Sequence, residues 1–261
     1  MTAQTFPHLR DGGPAISCVI CAYNEAGKIG RCLRAVSGHP ALSEIIVVDD
    51  GSTDGTAEVV RGFPNVRLIS CAVNRGKTYA LSLGIAAASG DHLMLLDADL
   101  DGIAPADIQA LADPVLRGAA DVSLSLRANS LGLYRLIGLD FISGERVLPA
   151  RLVRPHLAAM QALPRWGGEV FINELITQAA LSIAVVDWRG VFNVPKTEKL
   201  GSWRGGLEEV AMIGDLFRVL SPAMVVRQNI AMLNLVQRPK RPRLSARAWW
   251  RQQMSGGRMA A

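Results

Sequence analysis

The feature that most constrains the fold of this chain is an alternation of short apolar segments with helical segments. Five apolar segments bounded by turn residues are typical of buried strands, and they cover residues 15–22, 45–49, 66–70, 92–96 and 121–126. Helices are predicted between them, over residues 28–37, 54–61, 77–88 and 105–117. This order predicts an α/β fold with a mostly parallel central sheet, flanking helices and a site at the carboxyl ends of the strands.

The second half of the chain has a less regular pattern. Helices are predicted over residues 129–139, 155–163, 169–181, 206–220 and 223–235. Residues 140–146 are predicted to form a polar loop, and residues 183–194 a strand pair that turns near Arg189 and Gly190. We therefore expect one domain over residues 1–235, with a helical C-terminal extension, followed by a tail over residues 236–261.

Charge is unevenly distributed along the chain. The formal net charge is +5, from 28 basic and 23 acidic side chains, but residues 236–261 contain seven of the basic side chains and no acidic one. The remainder holds 21 basic and 23 acidic groups and is slightly negative. Because the basic tail also carries Trp249 and Trp250, it suits an anionic membrane surface better than nucleic acid. An extension without a partner is the alternative, and no nucleic-acid partner is expected.

Targeting and redox signals favour a cytoplasmic protein. The polar N-terminus lacks the apolar core of a signal peptide, and no apolar window of 18 residues is free of charge, so no transmembrane helix is expected. Cys18 and Cys21 form a C-x-x-C pair without the further ligands of a zinc site. We expect these thiols to pack in the core of a protein that lies in the cytoplasm or on the inner face of its membrane.

Three carboxylates at alternate positions follow the fourth predicted strand. They are Asp97, Asp99 and Asp101. Burying such charges costs several kcal/mol each unless a positive charge offsets them. Mg²⁺ or Mn²⁺ prefers oxygen ligands of this kind and often shares them with substrate phosphates. The alternative is a solvated turn, with Asp99 or Asp101 near the start of a helix.

Polar residues also follow three other predicted strands. These are Tyr23, Asn24 and Glu25 after the first, Asp49 and Asp50 after the second, and Arg75, Gly76 and Lys77 after the third. The carboxyl ends of parallel strands meet at one edge of a sheet, so all these groups are expected to converge. Lys77 opens a predicted helix, where its charge and the helix dipole both favour a diphosphate.

Taken together, these motifs resemble family 2 glycosyltransferases of the GT-A fold in order and spacing. The matching runs are residues 22–25, 48–56, 75–77 and 97–99. Residues 140–146 resemble the D-x-x-S-G-x-R loop of polyprenyl- and dolichyl-phosphate sugar synthases, and residues 166–169 are similar to a Gly-rich helix start of that branch. The resemblance implies a nucleotide-sugar-binding half over residues 15–125 and an acceptor-binding half over residues 126–235.

The resemblance also implies roles for individual residues. The nucleotide sugar would be bound by Ala22, Tyr23, Glu25, Asp50, Lys77, Asp97 and Ala98, with Asp50 accepting from the base and Lys77 at the diphosphate. Mg²⁺ or Mn²⁺ would be held by Asp97, Asp99 and Asp101. The catalytic residues would be Arg127 and Arg146, which would bind the acceptor phosphate, together with Asp140 and Glu169.

The implied activity is metal-dependent transfer of a hexose from a UDP- or GDP-linked sugar to a polyprenyl phosphate or another lipid-linked acceptor, with inversion. The Glu-Asp pair that supplies a base in polysaccharide-making members is not evident, and an ionised phosphate acceptor needs no such base.

Two alternatives stay open. Retaining relatives that act on phosphoglycerate typically place a late His on the metal, whereas Asn193 stands in the late segment here. A non-catalytic protein that binds an anionic surface or nucleic acid is the second, although three aligned carboxylates would give it no advantage.

Overall fold

The computed structural model describes residues 15–130, 132–164, 167–193 and 222–237. The predicted helix over 206–220, Trp166 and all but the first two residues of the tail lie outside these ranges. In the first half, helices and strands alternate as β1 (Ile16–Ala22), α1 (Ile29–Val36), β2 (Glu44–Asp49), α2 (Thr56–Arg61), β3 (Val66–Ser70), α3 (Lys77–Ala87), β4 (His92–Asp97), β5 (Leu100–Asp101), α4 (Pro105–Leu116) and β6 (Val122–Arg127).

The second half adds shorter elements around the same sheet. They are α5 (Gly132–Ile137), β7 (Arg146–Pro149), α6 (Ala150–Val153), a 3₁₀ turn (Arg154–His156), α7 (Leu157–Gln161), α8 (Gly168–Gln178), β8 (Ile183–Trp188), β9 (Phe192–Asn193) and α9 (Pro222–Leu235). No helix among the described residues combines the length and the apolar character that crossing a bilayer requires.

The central sheet has seven strands in the order β3-β2-β1-β4-β7-β6-β8. The first four are mutually parallel, β6 and β8 are parallel to each other, and β7 runs antiparallel to both of its neighbours, β4 and β6. Consequently the carboxyl ends of β4 and β6 and the amino end of β7 lie at the same edge. The expected mostly parallel sheet with flanking helices is confirmed.

Helices cover both faces of the sheet, which explains why its central strands are continuous apolar runs. Along β1, Cys18 and Ile20 pack in the core on one face, whereas Val19 packs in the core on the other. Helix α3 lies close to this second face at Gly84, where an added Cβ would meet the side chains of Val19 and Val48. Cys18 is therefore a core residue, as predicted from its apolar surroundings.

The pairing predicted for residues 183–194 is wrong. Strand β8 joins the central sheet beside β6, and β9 pairs with β5 in a separate two-stranded antiparallel ribbon. Gly102 adopts a left-handed conformation (φ +71°) after β5 and lies against the carbonyl group of Gly190, leaving no room for a Cβ there. This close approach keeps the turn after β8 against the acidic segment that follows β4.

Candidate active site

The loops after β1 and β2 are joined into one unit by hydrogen bonds. The contacts are Asn24 N to Ser52 Oγ (2.9 Å), Thr53 N to Asn24 Oδ1 (2.9 Å), Glu25 N to Thr56 Oγ1 (2.9 Å) and Ala26 N to Asp54 Oδ2 (3.0 Å). Asn24 adopts a left-handed conformation (φ 55°), which Asn tolerates better than most residues. The adjacent Tyr23 is 46% exposed, so this unit presents an aromatic ring at the carboxyl edge of the sheet.

Asp50 fixes the loop that precedes α3. Its buried carboxylate accepts hydrogen bonds from the backbone N–H groups of Arg75 (2.9 Å) and Gly76 (2.7 Å). Gly51 has φ +75°, and a Cβ there would come within 2.7 Å of the backbone of Val73, so the turn permits only glycine. Both carboxylate oxygens of Asp50 thus accept hydrogen bonds from the backbone, and the contact between Asp50 and a base stays a prediction.

Several other predicted donor-site residues lie around this edge. Ala22 and Ala98 are buried, and the carbonyl oxygen of Ala22 accepts a hydrogen bond from the backbone N–H of Asp50 (2.8 Å). Glu25 lies 3.6 Å from Lys28 Nζ. The alanine side chains therefore pack in the core, and the binding of a nucleotide by these residues stays a prediction.

Lys77, the first residue of α3, joins two carboxylates at the centre of the site. Its Nζ lies 2.6 Å from Asp97 Oδ1 at the end of β4 and 2.8 Å from Glu169 Oε1 in the first turn of α8. Burial lowers the pKa of Lys77, but the charges of Asp97 and Glu169 outweigh it and raise the pKa above its ordinary value. The structure therefore brings together three residues that the sequence assigned separately.

Asp97 lies between two cations and above a glycine. Arg127 Nη1 is 3.9 Å from Asp97 Oδ2, opposite the contact with Lys77. Burial raises the pKa of Asp97, but the charges of Lys77 and Arg127 lower it below its ordinary value, so the carboxylate is ionised. A Cβ on Gly144 would lie 2.6 Å from Asp97 Oδ1, which explains why the loop before β7 carries glycine at this position.

Arg127, at the end of β6, is held by buried acids. Its Nη1 lies 2.8 Å from Glu145 Oε1 and its Nη2 3.6 Å from Asp140 Oδ2. Glu145 also accepts hydrogen bonds from Ser125 Oγ (2.8 Å) and Ser143 Oγ (2.7 Å). Burial raises the pKa of Glu145, and the charge of Arg127 offsets only part of this effect.

Glu145 is a site residue that the sequence reasoning did not assign. The available signal was an acid placed between Gly144 and Arg146, immediately before an apolar strand, where it could only be buried with a cation. Asp140, which was assigned, is also buried and accepts a hydrogen bond from Ser130 Oγ (2.6 Å). Both acids therefore hold the guanidinium group of Arg127 from the buried side.

Arg146, to which the sequence assigns the acceptor phosphate, is fully buried in this structure, and that contact stays a prediction. Arg146 opens β7, has no exposed surface, and donates hydrogen bonds to Asn173 Oδ1 (2.9 Å) and to the carbonyl oxygen of Ser143. Burial lowers the pKa of Arg146 despite the acids around it. Its guanidinium group joins the loop before β7 to α8, and Arg146 lines a small cavity together with Lys77, Asp97 and Glu169.

Asp101 is also placed differently from the prediction. Its Oδ1 lies 3.4 Å from Arg31 Nε on α1 and accepts a hydrogen bond from Gly102 N (2.9 Å). Within the ranges that the structure describes, no group of three His, Cys, Asp or Glu side chains could hold a metal ion together. The three alternate carboxylates therefore do not converge, because the pairing of β5 with β9 places Asp101 beside α1.

The remaining donors still fit a hard divalent cation. Asp97 and Asp99 supply carboxylate oxygens, and Asn193 of β9 donates from Nδ2 to Asp99 Oδ1 (3.1 Å). The buried Oδ1 of Asn193 has no hydrogen-bond partner among the described residues. Two carboxylates of this kind are donors that Mg²⁺ or Mn²⁺ accepts when substrate phosphates and water supply the other ligands.

These features define an α/β protein whose cations and carboxylates meet at the carboxyl edge of a mostly parallel sheet, a place suited to a nucleoside diphosphate. Residues 17–148, half of the chain, match the model of glycosyl transferase family 2. The chain belongs to this family.

Curated relatives match parts of the chain. A poly-β-1,6-N-acetyl-D-glucosamine synthase of Staphylococcus epidermidis is 40% identical over 96 residues, which are 34% of this chain and 23% of the relative. An undecaprenyl-phosphate 4-deoxy-4-formamido-L-arabinose transferase of Aeromonas hydrophila is 35% identical over 123 residues, 44% of this chain and 37% of the relative. The matched segment thus spans less than half the length of either relative.

The fold is also similar to that of glucosyl-3-phosphoglycerate synthase from Mycobacterium tuberculosis. A crystal structure of that enzyme is 26% identical and covers 79% of this chain and 80% of its own, with a TM-score of 0.61. Another structure of it contains Mn²⁺, uridine diphosphate and glucosyl-3-phosphoglycerate.

Proposed function

We propose that the chain is a metal-dependent glycosyltransferase that moves a hexose from a UDP- or GDP-linked sugar to a phosphate acceptor, polyprenyl phosphate or another lipid-linked phosphate, with inversion. The observation that carries this proposal is the placement of Lys77 and Arg127 on opposite sides of Asp97. Lys77 belongs to the proposed donor half and Arg127 to the proposed acceptor half, so each half has a charge for one phosphate-bearing substrate.

On the donor side, the exposed ring of Tyr23 supplies a surface for the base, beside the joined loops after β1 and β2. Lys77 lies at the N-terminus of α3, where its charge and the helix dipole both attract the diphosphate. A divalent cation held by Asp97 and Asp99 would stabilise the charge that develops on the leaving nucleoside diphosphate.

On the acceptor side, Arg127 binds the acceptor phosphate. Its planar guanidinium group suits bidentate binding, and Glu145 and Asp140 hold its orientation from the buried side. The phosphate attacks as an anion, so the site needs no general base, consistent with the burial of Asp140 beneath Arg127.

A second candidate is transfer to a soluble phosphorylated acceptor such as phosphoglycerate, with retention. It is favoured by the likeness to the phosphoglycerate-glucosylating enzyme over four fifths of that chain. The polyprenyl- and dolichyl-phosphate enzymes among the relatives favour the lipid acceptor. A location at the inner face of the membrane belongs to the lipid proposal.

The test is a transfer assay with radiolabelled UDP- and GDP-sugars and Mn²⁺. One series contains polyprenyl phosphate in detergent, and the other contains phosphoglycerate without lipid. The configuration at the anomeric carbon of the product is determined by NMR. We expect transfer to the lipid, and we expect Asp99→Ala to lower it by at least about 100-fold with the fold intact. Transfer to phosphoglycerate alone would replace the first proposal with the second, and metal-independent activity at the wild-type level in Asp99→Ala would refute both.

A further inference from the structure

Two helices in the second half of the chain expose apolar side chains to solvent. On α5, Leu136 is 85% exposed and Ile137 is 39% exposed, and on α9, Val226 and Ile230 are 57% and 55% exposed. Val226 and Ile230 are four residues apart and share one face of α9, whereas the buried Gln228 lies on the opposite face. A helix in water ordinarily turns polar residues outward, so an apolar outward face indicates a surface that something covers.

Helix α5 lies at the carboxyl edge of the sheet, beside the proposed site. Arg135 Nη1 donates a hydrogen bond to the carbonyl oxygen of Arg127 at the end of β6 (2.7 Å). Leu136 follows Arg135 directly and therefore lies at the same edge. Tyr134 of α5 and Met232 of α9 pack in one apolar core, so the two helices lie on the same face of the sheet.

Helix α9 directs its first half toward this edge. Gln228 Nε2 donates to the carbonyl oxygen of Val170 in the first turn of α8, which begins at the site (3.1 Å). Just beyond the other end of α9, Gln237 N donates to the carbonyl oxygen of Ile183, the first residue of β8 (2.8 Å). Because β8 runs parallel to β6, its first residue lies at the opposite edge of the sheet. Val226, which comes before Gln228, therefore lies on the side of the site.

The charge of the two helices complements an anionic surface. Neither helix contains an acidic residue, and each exposes one arginine, Arg135 on α5 and Arg227 on α9. The basic tail over residues 236–261 follows α9 directly. Apolar side chains beside basic ones are typical of helices that lie in the interface of a bilayer. A second copy of the chain would instead bring four arginines into one interface without an acid from either helix.

We propose that the outward faces of α5 and α9 form a membrane-contact surface that rests on an anionic lipid bilayer. The side chains that it inserts among the lipid headgroups are Leu136, Ile137, Val226 and Ile230. This inference rests on the proposed function, since the phosphate of a lipid-linked acceptor then reaches Arg127 from the headgroup layer. The surface adds an apolar contact to the electrostatic attraction of the tail. Stable attachment requires two such signals, because one alone binds a bilayer only marginally.

The experiment measures binding of the full-length chain to vesicles of phosphatidylcholine and phosphatidylglycerol in equal parts, by co-sedimentation. We compare wild type with the double variant Leu136→Gln/Ile230→Gln, which removes two apolar side chains and leaves the tail and the net charge unchanged. Val73→Gln is the matched control, because Val73 is 64% exposed in the loop after β3, the edge strand at the far end of the sheet. We expect the apparent Kd for vesicles to weaken at least about tenfold in the double variant and to stay within about twofold of wild type in the control.

Vesicle binding at the wild-type level in the double variant would overturn the proposal and leave the tail as the membrane contact. Two other occupants are tested without lipid, and either result would also overturn it. A wild-type dimer in light scattering that becomes a monomer in the double variant would assign the surface to a second copy of the chain. A lower free energy of unfolding in urea for the double variant than for the control would assign the surface to a segment of this chain.

Vesicle binding is measured independently of the transfer assay. Transfer to polyprenyl phosphate in detergent, together with unchanged vesicle binding by the double variant, would refute this inference and leave the proposed function intact. Weakened vesicle binding by the double variant, without transfer to any acceptor, would refute the proposed function and leave the membrane-contact surface intact.

Discussion

At the scale of single residues, the centre of the site is a carboxylate enclosed by its neighbours. Asp97 is bounded by Lys77 on one side, Arg127 on the other and Gly144 beneath. Both cations lie on regular elements, since Lys77 opens a helix and Arg127 ends a strand, whereas Gly144 lies in the loop before β7. Such a carboxylate is pre-organised for a cation, because the neighbouring side chains already fix its position.

Gly144 gives a direct test of this pre-organisation. Gly144→Ala places a methyl group 2.6 Å from the present position of Asp97 Oδ1, so the carboxylate must move. Overpacking of this kind costs about 1–3 kcal/mol, and we expect the Kd of the nucleoside diphosphate with Mn²⁺ to weaken about tenfold in calorimetric titrations. Gly132→Ala is the matched control, because a Cβ there meets nothing within 4 Å. An unchanged Kd in Gly144→Ala would show that Asp97 is not held as described.

At the scale of helices and strands, α8 is the element that joins the two halves of the site. Its first turn carries Glu169 to Lys77, and the N–H of Gly168 donates to Thr78 Oγ1 on α3 (3.1 Å). One turn further on, Asn173 accepts from Arg146 (2.9 Å) and donates to the carbonyl oxygen of Phe141 (2.7 Å). Through these contacts α8 holds both α3 and the loop before β7 in place.

Asn173→Leu removes the side-chain partner of a fully buried arginine. We expect the free energy of unfolding to fall by about 2–4 kcal/mol, because Arg146 keeps its charge and loses a charge-assisted hydrogen bond. Urea denaturation followed by tryptophan fluorescence measures the change. Gln178→Ala, at an exposed position of the same helix, is expected to stay within about 0.5 kcal/mol of wild type. Equal effects of the two variants would refute the supporting role of Asn173.

The extent to which sequence predicts these elements follows from their burial. Strands β1, β2 and β4 are buried on both faces, so their continuous apolar sequences predicted the strand bounds to within a residue or two. The polar residues at the ends of these strands indicated the position of the site. Strand β7 begins with a buried arginine after a buried glutamate, and no local pattern distinguishes such a start from a polar loop. Strands β5 and β9 have two residues each, and only tertiary contact reveals their pairing.

At the scale of the whole molecule, the charge of the chain divides into a slightly negative body and a basic tail. A chain ending at residue 238 lacks six of the seven tail cations, each of which contributes about 1 kcal/mol at an anionic surface. We expect this truncated chain to lose binding to vesicles that contain anionic lipid and to keep its affinity for the nucleoside diphosphate. Co-sedimentation measures the first and calorimetry the second, with zwitterionic vesicles as control. Retained binding to anionic vesicles would assign the membrane contact to another part of the molecule.

The single antiparallel strand of the central sheet has a consequence for how such a molecule can diversify. Because β7 runs against β6, the segment over residues 128–145 leaves and re-enters the sheet at the same edge. A segment anchored in this way can gain or lose residues at little entropic cost, whereas β1 to β4 are joined by crossovers whose lengths the helices fix. The part of the chain from β1 to β4 is thus a constant frame, and the segment over residues 128–145 is the part that insertion and deletion can remodel.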